Sequence, residues 1–206
     1  MWNGTKTEIE LTFIRHGFTR SNMEHRYLGR RDESLCEEGR DQLLSLVGQN
    51  KYPACDLLYS GPMKRCLETA RCIYPHQEIR MINDWKEMDF GSFEGKTYEE
   101  LSGSKDYQEW IDSNGTLPFP KGESREEFTR HTMKGWKMML QDIGRSAGGK
   151  TVRVSAVVHG GTIMAILGQL EGNEIFNYQV KNTQGYLCLL SYDGRITEIK
   201  KLEKLE

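Results

Sequence analysis

Three short apolar runs, each ending on chemically loaded residues, constrain this chain more than any other feature. Residues 9–14 lead into Arg15-His16-Gly17, residues 56–60 into Gly61-Pro62, and residues 151–158 into His159-Gly160-Gly161. Runs this short, rich in β-favouring side chains and stopped by turn residues, predict strands. Helical spacing fills the gaps between them. Over residues 34–48, Ser34 and Glu37 form a capping box, Leu43, Leu46 and Val47 a stripe, and Gly48 a stop. Pro62 is expected at the first position of a helix carrying Met63, Cys66, Leu67, Ala70 and Ile73. A third strand is expected over 78–82, loops with short helices near 97–113 within the stretch 83–122, and a longer helix over 123–143. Phe128, Thr132, Trp136, Leu140 and Ile143 lie on one face of that helix. Helical character resumes over 162–170, and Asp193-Gly194 joins 186–192 to 195–199 as a hairpin. Strands alternating with helices imply an α/β protein: a three-layer α/β/α sandwich on a mostly parallel sheet, in one domain spanning 1–206.

One string points elsewhere. Residues 144–151, Gly-Arg-Ser-Ala-Gly-Gly-Lys-Thr, spell a nucleotide-binding P-loop. That loop works only between a preceding strand and a following helix, whose N-terminus faces the phosphates. Here a helix precedes and a strand follows, which predicts a plain helix-to-strand loop.

Charge and cysteine usage exclude further classes. With 28 basic and 30 acidic residues the formal net charge is −2, so no nucleic-acid partner is expected. No apolar run approaches the roughly 20 residues of a membrane span, and the N-terminus has no apolar export signal. The five cysteines show no C-x-x-C pair, which implies reduced thiols and a cytoplasmic location.

The strand ends carry the chemistry. Arg15 and His16 follow one strand, Arg65 sits in the first turn after another, and His159 ends a third. Ligands of open α/β sheets bind at the carboxyl ends of strands. Two guanidinium forks, two imidazoles and a helix N-terminus at Gly160 suit a dianionic phosphate there. A neutral imidazole is also a competent phosphoryl acceptor. A carboxyl with raised pKa would protonate the leaving alkoxide, and Glu87 and Asp89 are both candidates.

These segments, in this order, resemble the histidine phosphatase superfamily, also called phosphoglycerate mutase-like. The chain's FIRHGFTRSN, YLGRRDESLCEEGRDQ, LYSGPMKRCLETA, KEMDFGSFEG and VVHGG are each similar to a family segment, from about residue 10 to 165. The resemblance implies His16 as the phosphorylated nucleophile, and Arg15, Arg65, His159, Asn22 and the Gly160 amide as phosphate-binding groups. It singles out Glu87 over Asp89 as proton donor, and implies no metal or organic cofactor. Phe18, Cys36 and Cys66 depart from the family pattern, which has Glu, Thr and Ala there. The compact stretch between Glu87 and His159, with its Trp…Pro-x-Gly-Glu segment, resembles the small phosphatases, including α-ribazole phosphatase. The expectation is a histidine-type phosphatase acting on a small phosphomonoester, as a monomer or homodimer. A phosphoglycerate mutase and a non-catalytic phosphate-ligand sensor remain as alternatives.

Overall fold

The computed structural model describes residues 6–147, 150–195 and 197–206. Its strands are β1 (Thr7–Arg15), β2 (Leu57–Ser60), β3 (Ile79–Met81), β4 (Val152–Val158), β5 (Gly185–Tyr192) and β6 (Thr197–Leu205). Its α-helices are α1 (Arg20–Met23), α2 (Glu37–Gly48), α3 (Lys64–Ile73), α4 (Tyr98–Leu101), α5 (Lys105–Asp112), α6 (Arg125–Ala147) and α7 (Gly160–Glu171). The strands form one sheet in the order β3-β2-β4-β1-β5-β6. Strands β1 to β4 are parallel; β5 opposes β1, and β6 opposes β5, so only β5 runs the other way. The mostly parallel α/β sheet is as expected, and the Asp193-Gly194 segment joins two antiparallel strands.

The layers follow from side-chain alternation. Ile9, Leu11 and Phe13 of β1 share a cluster with Trp136, Met139, Leu140 and Ile143 of α6 and Ile163, Ile166 and Leu167 of α7. Ile14, Leu58 and Val157 face the opposite side, onto Leu43 of α2 and Cys66, Ala70 and Ile73 of α3. Strands covered on both faces are near-continuously apolar, and β4 is buried at every position but Arg153. The edge strand β6 instead alternates and carries Lys200, Lys201 and Lys204, which discourage pairing with another sheet.

Several boundaries differ from the sequence expectation. The N-cap of α2 is Cys36, whose Sγ accepts the Gly39 N–H at 3.3 Å, so Ser34 lies outside the helix. Leu35 is drawn into the core, which leaves the next residue to cap. Gly48 is the last helical residue; the left-handed turn falls on Asn50, at φ 54°. Pro62 precedes α3 entirely, because Asp32 Oδ1 accepts the Lys64 N–H at 2.7 Å and supplies the cap from a distance. Helix α6 starts at Arg125 behind a reciprocal cap: Ser124 Oγ accepts from Glu127 N, and the Glu127 carboxylate accepts from Ser124 N. At its far end α6 includes residues 144–147, so the first half of the P-loop-like string is helical. Residues 148 and 149 lie outside the described residues, and β4 begins at Val152. The order helix-then-strand holds. Among the described residues no helix is long and apolar enough to cross a membrane.

Candidate active site

Register brings the loaded residues together. Arg15 pairs with Val158 across β1 and β4, and the next N–H, that of His16, donates to Val158 O at 3.0 Å. Ser60 pairs with Val157 on the other side of β4, and Gly61 N donates to Val157 O at 3.0 Å. His16, Gly61 and His159 therefore emerge side by side at the carboxyl edge of the sheet. The two imidazoles meet edge to face, with ring centroids 5.2 Å apart.

His16 has a defined tautomer. Its Nδ1 lies 2.7 Å from Gly17 O. A carbonyl only accepts, so Nδ1 carries the proton, and in the neutral ring Nε2 keeps a lone pair. No hydrogen bond engages Nε2 among the described residues. Burial first, then the Arg65 and Arg15 charges, hold His16 well below its ordinary pKa. Burial, Arg65 and His16 do the same to His159.

The arginines are bound to backbone and lack carboxylate partners. Arg65, on the first turn of α3, is fully buried and donates to Gly29 O and Arg31 O, both at 2.9 Å. Arg15 Nη1 donates to Val180 O at 2.8 Å. Neither forms an ion pair among the described residues, and the buried Nε–H of each has no acceptor. Buried cations with unspent donors create a strong positive potential, which suits an anion with several oxygens. Gly160 opens α7, and a Cβ there would lie 3.4 Å from Arg15 Nε. The guanidinium thus packs against the helix N-terminus.

Glu87 faces the same space. Its Oε1 accepts from Met88 N at 3.0 Å, and its Oε2 lies 3.8 Å from His159 Nδ1. That distance would permit an ion pair. Burial, however, raises the Glu87 pKa and lowers that of His159 well below its ordinary value, so both shifts work against a charged pair at this contact. Arg65 and Arg15 oppose the rise, and Glu123 adds to it. The other acid, Asp89, has its Oδ1 engaged locally, accepting from Gly91 N at 2.9 Å.

Asn22 closes the capping box of α1, its Oδ1 accepting from Thr19 N at 3.2 Å. The same oxygen takes a bond from Asn182 Nδ2 at 3.1 Å. The departures from the family pattern also find places. Cys36 donates its thiol to Phe18 O at 3.4 Å, and Cys66 Sγ packs 3.6 Å from His159 Nε2. Burial raises the Cys66 pKa to about 12, so it sits there as a thiol. Nearby, Arg20 and Arg26 pair with Glu24, and Arg30 with Glu123. Sequence reasoning did not find Asn182, Thr183 or Glu123. Only Glu123 had a signal, the Gly-Glu pair after Pro120.

Residues 11–204 match the profile of the histidine phosphatase superfamily, branch 1. This chain belongs to that superfamily. Over 200 residues it is 30% identical to a Hydrogenobacter thermophilus protein provisionally named phosphoserine phosphatase 2, covering 95% of each chain. The Entamoeba histolytica phosphoserine phosphatase, solved with 3-phosphoglyceric acid, is similar at 25% identity and TM-score 0.70, with 96% of each chain covered. The α-ribazole phosphatase of Shigella flexneri shares the fold, with TM-score 0.73 at 20% identity over 94% of this chain and 95% of that one.

Proposed function

We propose that the protein is a phosphomonoester hydrolase working through a phosphohistidine on His16. The observation that carries this reading is the Nδ1–H of His16 held on Gly17 O, which presents an unprotonated Nε2 beside two guanidinium groups without carboxylate partners. In the proposed first step Nε2 attacks phosphorus while the bond to the ester oxygen breaks. The Glu87 carboxyl gives that oxygen its proton. Arg15, Arg65, His159 and the Gly160 N–H hold the non-bridging oxygens as charge develops, with Asn22 assisting. In the second step water attacks the phosphohistidine, Glu87 takes a proton from it, and His16 leaves as neutral imidazole with phosphate released. Every group returns to its starting state without an added cofactor.

The substrate is a small phosphorylated metabolite. Phosphoserine is the first candidate, supported by the names of the full-length relative and of the Entamoeba protein. α-Ribazole phosphate is the second, supported by likeness of fold. A panel of phosphomonoesters, scored by phosphate release from wild type and His16→Ala, tests the reading. Release by wild type and none by the variant is expected. Interconversion of 2- and 3-phosphoglycerate faster than any hydrolysis would replace the hydrolase reading with a mutase.

A further inference from the structure

The segment entering β5 grips the nucleophile from three directions. Val180 O receives the Arg15 guanidinium. Thr183 N donates to Arg15 O at 3.0 Å and lies 3.4 Å from His16 O. Asn182 Nδ2 lies 3.0 Å from His16 O, 3.2 Å from Gly17 O and 3.1 Å from Asn22 Oδ1. An amide nitrogen has two hydrogens, so three acceptors share them. Asn182 is buried, and bulk water does not replace a bond lost there.

The backbone around it is strained. Thr183 has φ 68°, in the left-handed region that a β-branched residue rarely enters. Tyr52 Oη donates to Thr183 O at 3.0 Å, and Thr183 Oγ1 donates to Asn182 O, which together hold it there. Strain that the surroundings over-determine in this way clusters at functional sites.

Gly17 O is therefore shared. It accepts Nδ1–H of His16, and it is held by Asn182. We propose that Asn182 is a positioning residue for the nucleophile. By fixing the His16 and Gly17 carbonyls and the Asn22 amide, it keeps the His16 proton on Nδ1 and the Nε2 lone pair aimed into the pocket. Asn182 acts through His16 and does not touch substrate. The inference rests on His16 being the nucleophile, so its test reads the tautomer as well as turnover.

The experiment is nitrogen–proton NMR on protein labelled with ¹⁵N-histidine, run beside steady-state kinetics and thermal melts. Wild-type His16 is expected as a neutral ring protonated on Nδ1 alone. Asn182→Ala should show a mixture of tautomers and lose up to about 10²-fold in kcat, the scale of a displaced reacting group, with KM little changed. Asn182→Ser, which keeps one donor, should recover part of both. It also carries the test if the alanine variant does not fold. A single Nδ1–H tautomer in a folded variant, with kcat loss tracking a lowered melting temperature, would overturn the proposal. A shifted tautomer with undiminished turnover would overturn the nucleophile reading of His16 instead.

Discussion

At the scale of single residues, burial shifts the titratable groups of the site toward their neutral forms. It raises the Glu87 pKa and holds both imidazoles well below their ordinary values. A proton donor matters most where the leaving oxygen is basic. Glu87→Gln should therefore slow hydrolysis of an alkyl monoester by about 10²–10⁴-fold and that of an aryl phosphate far less. Equal losses, measured as kcat on the two substrates, would remove Glu87 from the donor role. The residues at strand ends were legible because each sits in a short local pattern: Arg15-His16-Gly17, or His159 before two glycines. Asn182 was not, because its acceptors lie about 160 positions away in the chain. Cys36 was hidden differently. Ser34 and Glu37 satisfy a cap pattern on paper, whereas the thiol two residues later forms the bond.

At the scale of elements, α6 supports the segment that carries Glu87. Trp85, two residues before it, is fully buried and donates Nε1–H to Thr132 O at 3.2 Å. Gly135 lets the indole approach: a Cβ there would sit 2.7 Å from Trp85 Cδ1 and Nε1 and 2.8 Å from Ile82 Cγ2. Gly135→Ala sets two effects against each other. The helix gains up to about 1 kcal/mol in propensity. Overpacking an enclosed ring costs about 1–3 kcal/mol, and here it wins because Trp85 has no open side. A lower urea midpoint is expected, and a higher one would show that the indole yields freely. The apolar stripe of α6 was readable from its period. Its start was less so: the helix begins at Arg125, two residues after the expected boundary, behind the cap at Ser124.

At the scale of the whole molecule, the neutral imidazoles tie stability to pH. His16 and His159 titrate well below 6.5 in the fold and near 6.5 when unfolded. Below that pH the unfolded chain binds more protons, so stability falls on acidification, by up to about 1.4 kcal/mol per pH unit for each ring. Glu87 acts oppositely between 4.5 and its raised folded value, where the fold holds the extra proton. Two rings outweigh one carboxyl, so the denaturation midpoint should be lower at about pH 5.5 than at about pH 7. A flat profile would mean the imidazoles are not held neutral. The alternation of strands and helices made the layered α/β fold legible from sequence. The order β3-β2-β4-β1-β5-β6 was not, since nothing within a strand names its neighbour. That order sets β1 beside β4, and so puts His16 against His159. The phosphohistidine on His16 is tested by quenching turnover in alkali, where a phosphohistidine survives, and mapping the phosphoryl group by mass spectrometry and NMR. One phosphoryl group is expected, on Nε2 of His16, formed and consumed within the catalytic cycle. A phosphoryl group on any other residue, or full turnover by His16→Ala, would contradict it.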